Sequence, residues 1–81
     1  MKARVYVTMK TTVLDPQGQT IRRALASLGH QSITDVRQGK YFELSIVEGA
    51  DKDQVRTEME QIAHDVLANP VIEEYRIEMV D

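Results

Sequence analysis

The stretch ITDVRQGKYFELSIV, residues 33–47, decides how many strands this chain has. Val36, Phe42, Leu44 and Ile46 share one parity, so a single long, bent strand keeps all four on one face. RQGK (37–40) also reads as a hairpin turn, with Gly39 at a positive φ. A two-residue Gln38-Gly39 loop would pair Val36 with Tyr41 and turn Phe42 to the opposite face. A three-residue loop, or no turn at all, suits the apolar pattern better. Both readings stay open at this point.

Upstream, ARVYVTM (3–9) alternates, with Ala3, Val5, Val7 and Met9 on one face and Arg4, Tyr6 and Thr8 on the other: a half-buried strand. Asp15-Pro16 then opens a helix, because an Asp side chain accepts from free amides and proline needs no donor at the first position. Ile21, Ala24, Leu25 and Leu28 form its apolar face, and Gly29 suits a left-handed cap, so the helix is expected over 16–28. Gly18 falls in the first turn, where alanine would favour helix by up to ~1 kcal/mol. We expect it to leave the helix start bare for close approach by another subunit or a second copy.

Downstream, a second helix follows EGAD (48–51). Val55, Met59, Ile62, Ala63, Val66 and Leu67 keep the helical period, and Asn69-Pro70 ends it. VIEEYRIEMV (71–80) closes the chain as a strand, with Val71, Tyr75, Ile77 and Met79 at one parity and Glu73 interrupting that face. The order β-α-β(β)-α-β predicts an α+β, two-layer sandwich, ferredoxin-like or related: an antiparallel sheet with two helices on one face. A single strand over 33–47 would outrun its neighbours and leave backbone groups for a second subunit to pair.

Composition narrows the function classes. The 81 residues make one domain (1–81) with a modest core, a size at which oligomerisation often adds stability. There is no cysteine, so thiolate metal sites and cysteine nucleophiles are excluded. A net charge of −3 gives no broad basic field for nucleic acid. No apolar run approaches the ~20 residues of a membrane span, and no secretory pattern opens the sequence. A cytoplasmic protein with no nucleic-acid or membrane partner is expected.

No catalytic constellation emerges. His64 falls opposite the apolar face of its helix, and His30 sits past a helix C-terminus, where a cationic side chain is favoured. Two histidines 34 positions apart show no metal-site spacing. Asp51, Asp53, Glu58 and Glu60 suit the start and outer side of the second helix. Glu74 and Glu78 suit the solvated side of the last strand, whereas Glu73 stands at an inward parity. Arg22, Arg23, Arg37 and Lys40 are the candidate anion contacts, although "GK" alone is a weak phosphate signal. From the residues alone the function is binding or assembly.

Four pieces taken together add to that: VLDPQG (13–18), LASLGH (25–30), VRQGKYFEL (36–44) and LANPVIEEYRIE (67–78). Their order and spacing resemble PurS, the small-subunit family of bacterial and archaeal phosphoribosylformylglycinamidine synthase, over nearly the whole chain. The resemblance implies a self-associating subunit, dimer or tetramer, with no catalytic residue, no activity alone and no bound cofactor or metal. It implies partnership with a large synthetase subunit (PurL) and a glutaminase subunit (PurQ), ATP and Mg being used by the complex. The complex converts formylglycinamide ribonucleotide, glutamine and ATP in de novo purine synthesis, and the small subunit helps ammonia pass between its partners. By the same resemblance Asp15, Pro16, Gln17, Gly18, Gly39, Lys40, Asn69, Pro70 and Glu73 are the subunit-contact or shape-critical positions.

Other functions fit the same element order. An ACT-like small-molecule-binding regulatory domain is the main alternative, although no ligand loop stands out. An acylphosphatase-type enzyme would need an anion-cradling loop with arginine, and KTTVLDPQG (10–18) has none. An RNA-binding sheet would need an aromatic platform and positive charge.

Overall fold

Alternation in the first strand builds the floor of the molecule. The computed structural model describes residues 1–80. In β1 (Lys2–Met9), Ala3, Val5 and Val7 are fully buried on one face. β2 (Gly39–Ser45) and β3 (Glu73–Val80) pair antiparallel on either side of β1, giving the order β2-β1-β3. The register stacks like with like: Ala3 opposes Leu44 and Met79, and Val5 opposes Phe42 and Ile77. A slip of one residue would turn every apolar column to solvent, so the register is strongly specified.

Helix α2 (Lys52–Ile62) covers that face. Asp51 caps it by accepting from the Asp53 amide at 2.9 Å. Val55 and Met59 pack with Ala3 against Leu44, Ile46, Ile77 and Met79. The helix then widens into a π turn over Ala63–Leu67, closed by the Ala68 amide donating to the Ala63 carbonyl at 2.9 Å. Five residues apart, Ala63 and Ala68 would diverge by about 140° on an α-helix. The wider turn lets both reach the core beside Val5 and Val7. The second helix of the sequence reading is therefore an α-helix followed by a π turn, stopping at Asn69-Pro70 as expected.

Helix α1 (Pro16–Ser27) has the expected Asp15 cap and proline start. With it, the chain has the α+β architecture read from the sequence, a three-stranded antiparallel sheet and two helices. Within one chain, however, α2 supplies the layer on the sheet, and among the described residues no strand or helix packs extensively along the Ile21/Ala24/Leu25/Leu28 seam of α1. Leu28 is 74% and Ile21 39% exposed. The molecule measures 51 × 26 × 14 Å, with a radius of gyration of 16.2 Å. A compact 81-residue chain would have roughly 12 Å, so α1 and the segment returning from it form an arm.

Residues 33–47 are neither one long strand nor a hairpin. Only Gly39–Ser45 is strand, and 33–38 carry no regular structure. The Gln38 amide donates to Asp15 Oδ2 at 2.7 Å, which turns this segment toward the start of α1. Val36 thereby leaves the face it would have shared with Phe42 and Leu44.

On the sheet's other face the side chains neutralise one another. Lys2 Nζ lies 3.0 Å from Glu43, and Arg4 Nη1 lies 3.1 Å from Glu78. The Tyr6 and Tyr41 rings are 5.3 Å apart, and the Arg76 guanidinium stands 4.3 Å over Tyr6.

Candidate functional site

The arm leaves the sheet at a corner held by two side chains. Asp15, only 4% exposed, accepts from the Gly18 amide at 3.0 Å and the Gln38 amide at 2.7 Å. One carboxylate thus caps α1 and anchors the returning backbone. Those two amides, aided by the nearby Arg37 charge, hold the carboxyl below its ordinary range against the opposing effect of burial. Arg37 Nη2 donates to the carbonyls of Met9, Lys10 and Val13 at 3.1, 2.8 and 3.2 Å. Arg37 is therefore a staple for the loop before α1.

Both flagged glycines sit where backbones meet. A Cβ at Gly18 would lie 2.1 Å from the Val36 carbonyl oxygen. The close approach expected from another subunit is thus made by the chain's own returning segment. A Cβ at Gly39 would lie 2.4 Å from the Val7 carbonyl oxygen. Gly39 does not have the positive φ of a hairpin turn; among the described residues only Gly29 and Gly49 do.

Glu73 explains its own inward parity. Its Oε1 accepts from the Asn69 amide at 2.7 Å, and its Oε2 lies 3.5 Å from Lys40 Nζ. Asn69 in turn accepts from the Glu73 amide through its carbonyl at 2.7 Å and from the Val71 amide through Oδ1 at 3.1 Å. The Asn69-Pro70 corner and the tip of β3 are thereby closed into one unit. Val71, assigned to the strand's inner parity from sequence, precedes β3 and is 77% exposed.

These parts enclose a cleft of about 410 Å³. Asp15, Pro16 and Gln17 form its arm side, Gln38, Gly39 and Lys40 line the start of β2, and Met9 and Glu73 close it. Of the nine positions singled out from sequence, six line this cleft. The other three buttress it, Gly18 beneath the cap and Asn69-Pro70 behind Glu73. Sequence reasoning missed Met9 and Gln38, whose signal is purely spatial. His30 is exposed away from the cleft, and His64 pairs with Asp65 at 2.8 Å on the exposed surface. Among the described residues no three His, Cys, Asp or Glu side chains group to hold a metal. The cleft presents amide side chains, the bare backbone of Gly39 and one ion pair on a largely apolar lining.

Comparison with known proteins gives this corner its context. The model of the PurS family, phosphoribosylformylglycinamidine (FGAM) synthase, matches residues 2–81. The PurS subunit of that synthase from Mycobacterium leprae is 49% identical over 76 residues, 94% of this chain and 91% of that protein. The Bacillus subtilis subunit is 45% identical over 78 residues, 96% and 90% of the two chains. The solved B. subtilis PurS matches with a TM-score of 0.84 and 42% identity over 99% of this chain and 98% of that one. A chain in the structure of PurLQS from Thermotoga maritima matches with a TM-score of 0.85 and 30% identity, over 98% and 95%. With family, sequence and fold in agreement over nearly all of it, this chain belongs to the PurS family of phosphoribosylformylglycinamidine synthase subunits.

Proposed function

We propose that this chain is a non-catalytic adaptor of phosphoribosylformylglycinamidine synthase, joining a PurL synthetase to a PurQ glutaminase in the cytoplasm. The observation that carries this reading is its likeness, end to end, to a chain of the Thermotoga maritima PurLQS assembly. The assembled enzyme consumes ATP, with Mg, and glutamine in a step of purine biosynthesis, while this subunit binds neither a cofactor nor a metal. Its contribution is register. Ammonia released by the glutaminase is protonated in water and loses its nucleophilicity, so the two active sites must be held where it passes shielded. Asp15, Pro16, Gln17, Gly18, Gly39, Lys40, Asn69, Pro70 and Glu73 build the corner that docks a partner, and the chain associates with itself as well.

Reconstitution tests this. PurL and PurQ from the same organism, with nucleotide and substrate, are assayed with and without this chain, using glutamine or ammonium chloride as nitrogen donor. Glutamine-dependent synthesis should fall at least tenfold on omission, with ammonium-dependent synthesis retained. Lys40→Glu, which reverses the cleft's cation, should reproduce the omission. Equal glutamine-dependent rates with and without the chain would sink the adaptor reading.

A further inference from the structure

We infer that the cleft at the base of the arm receives an acidic side chain, carried on an apolar segment of a protein partner, and that the Lys40 ammonium recognises it. This rests on the adaptor reading proposed above and names what the docking corner binds. Asp15, Arg37, Lys40 and Glu73 bring their charges to this corner, and three of the four are engaged. Asp15 is buried and accepts from two amides, Arg37 donates to three carbonyls, and Glu73 accepts from the Asn69 amide. Lys40 differs. Its side chain is 56% exposed, and Glu73 Oε2 stands 3.5 Å away, too far for a good hydrogen bond. The ammonium has three donors and no short acceptor.

Beside it, the Gln17 and Gln38 side-chain amides line the cleft and make no hydrogen bond among the described residues. An entering carboxylate accepts from the ammonium and from a carboxamide, a charge-assisted set that a neutral group does not match. The four charges sum to zero, so no net field draws in a doubly charged phosphate. A cationic occupant would have to displace Lys40 from Glu73, because Asp15 is buried.

The rim sets the size and polarity of the partner. Leu14, next to Asp15, is 67% exposed, and Val71, shortly before Glu73, is 77% exposed. The Lys10 amide donates to the Ile72 carbonyl at 2.8 Å, which ties together the two loops that carry them. The cleft lining is itself largely apolar. An acid on an apolar segment matches both features, and the rim beyond the cleft is area that a protein covers and a free metabolite does not.

The test is titration of this chain into the PurL–PurQ pair from the same organism, with nucleotide and glutamine present, at low and high salt. Lys40→Met, which keeps the stem and removes the charge, should raise Kd by about tenfold or more and flatten its salt dependence. Lys40→Arg should restore most of the affinity. Glu73→Gln keeps an acceptor for the Asn69 amide but releases the ammonium, so it should lower Kd. In the wild-type complex a water-soluble carbodiimide should join Lys40 to a partner carboxylate through an amide, the reagent taking up the water lost; mass spectrometry of the digest locates the link. A wild-type chain that does not bind the pair overturns the adaptor reading and this proposal together. A wild-type complex that Lys40→Met joins equally tightly overturns the proposal alone. So does equal weakening by Lys40→Met and Glu73→Gln, because the ion pair would then only close the corner. Saturable binding of inorganic phosphate to the chain alone, lost in Lys40→Met, makes a small anion the occupant and also overturns it. If circular dichroism shows Lys40→Met unfolded, the cross-link decides: a link to a partner carboxylate supports the proposal, and a link to Glu73 only, or none, overturns it.

Discussion

Replacing Gly18 with alanine sets two effects of opposite sign against each other. In an exposed first turn, Gly→Ala stabilises a helix by up to ~1 kcal/mol. Here the new Cβ would sit 2.1 Å from the Val36 carbonyl oxygen, where ordinary contact begins near 3.4 Å. The overlap of 1.3 Å is against backbone, so no side chain can swing aside. Moving Val36 outward strains the neighbouring Gln38 amide, which holds Asp15 at 2.7 Å. Overpacking of this kind costs ~1–3 kcal/mol and, against a backbone, falls at the upper end. The net expectation is a loss of about 2 kcal/mol, or roughly 8–16 °C in Tm for a chain of this size. Thermal unfolding followed by circular dichroism, at one protein concentration for both variants, reads it directly. An unchanged or raised Tm refutes the backbone approach and returns Gly18 to an ordinary, tolerated helix glycine.

Two further outcomes follow from the same contacts. The folded Asp15 carboxyl titrates below its ordinary value of 3.8, so its contribution is complete above that pH and is lost as pH falls through the lowered folded value. Asp15→Asn keeps a cap oxygen but turns an amide toward Gln38 N–H. The stability gap between wild type and variant should therefore be constant near neutral pH and shrink below about pH 4; a gap independent of pH from 7 to 2 contradicts this. Met59→Ala, at a site 5% exposed between α2 and the sheet, should cost about 2–5 kcal/mol in denaturant unfolding, and a loss under 1 kcal/mol would show that α2 is not firmly packed.

What the sequence made legible was what neighbouring residues determine. Ala3, Val5 and Val7 announce their strand by alternation, Asp15-Pro16 announces a helix start, and Val55 with Met59 announces a buried seam. Residues 33–38 were ambiguous because their conformation is set from afar, by Asp15 on Gln38 and by three carbonyls on Arg37. Glu73 was legible as an anomaly of parity but not as a solution, since Lys40 lies 33 positions earlier in the chain. The π turn has no local signal, because its cause is the sheet beneath Ala63 and Ala68. The cleft was visible only as a set of motif positions, and their convergence is a property of the fold.

The location of that cleft has a mechanical consequence. One wall, Asp15 to Gln17, belongs to the arm, and the other, Lys40 and Glu73, belongs to the sheet. α1 extends roughly 18 Å from this fulcrum. A rotation of about 10° at the cleft therefore displaces the far end of the helix by about 3 Å, most of a side chain's reach. A partner that turned one wall against the other by that angle would carry the helix tip with it.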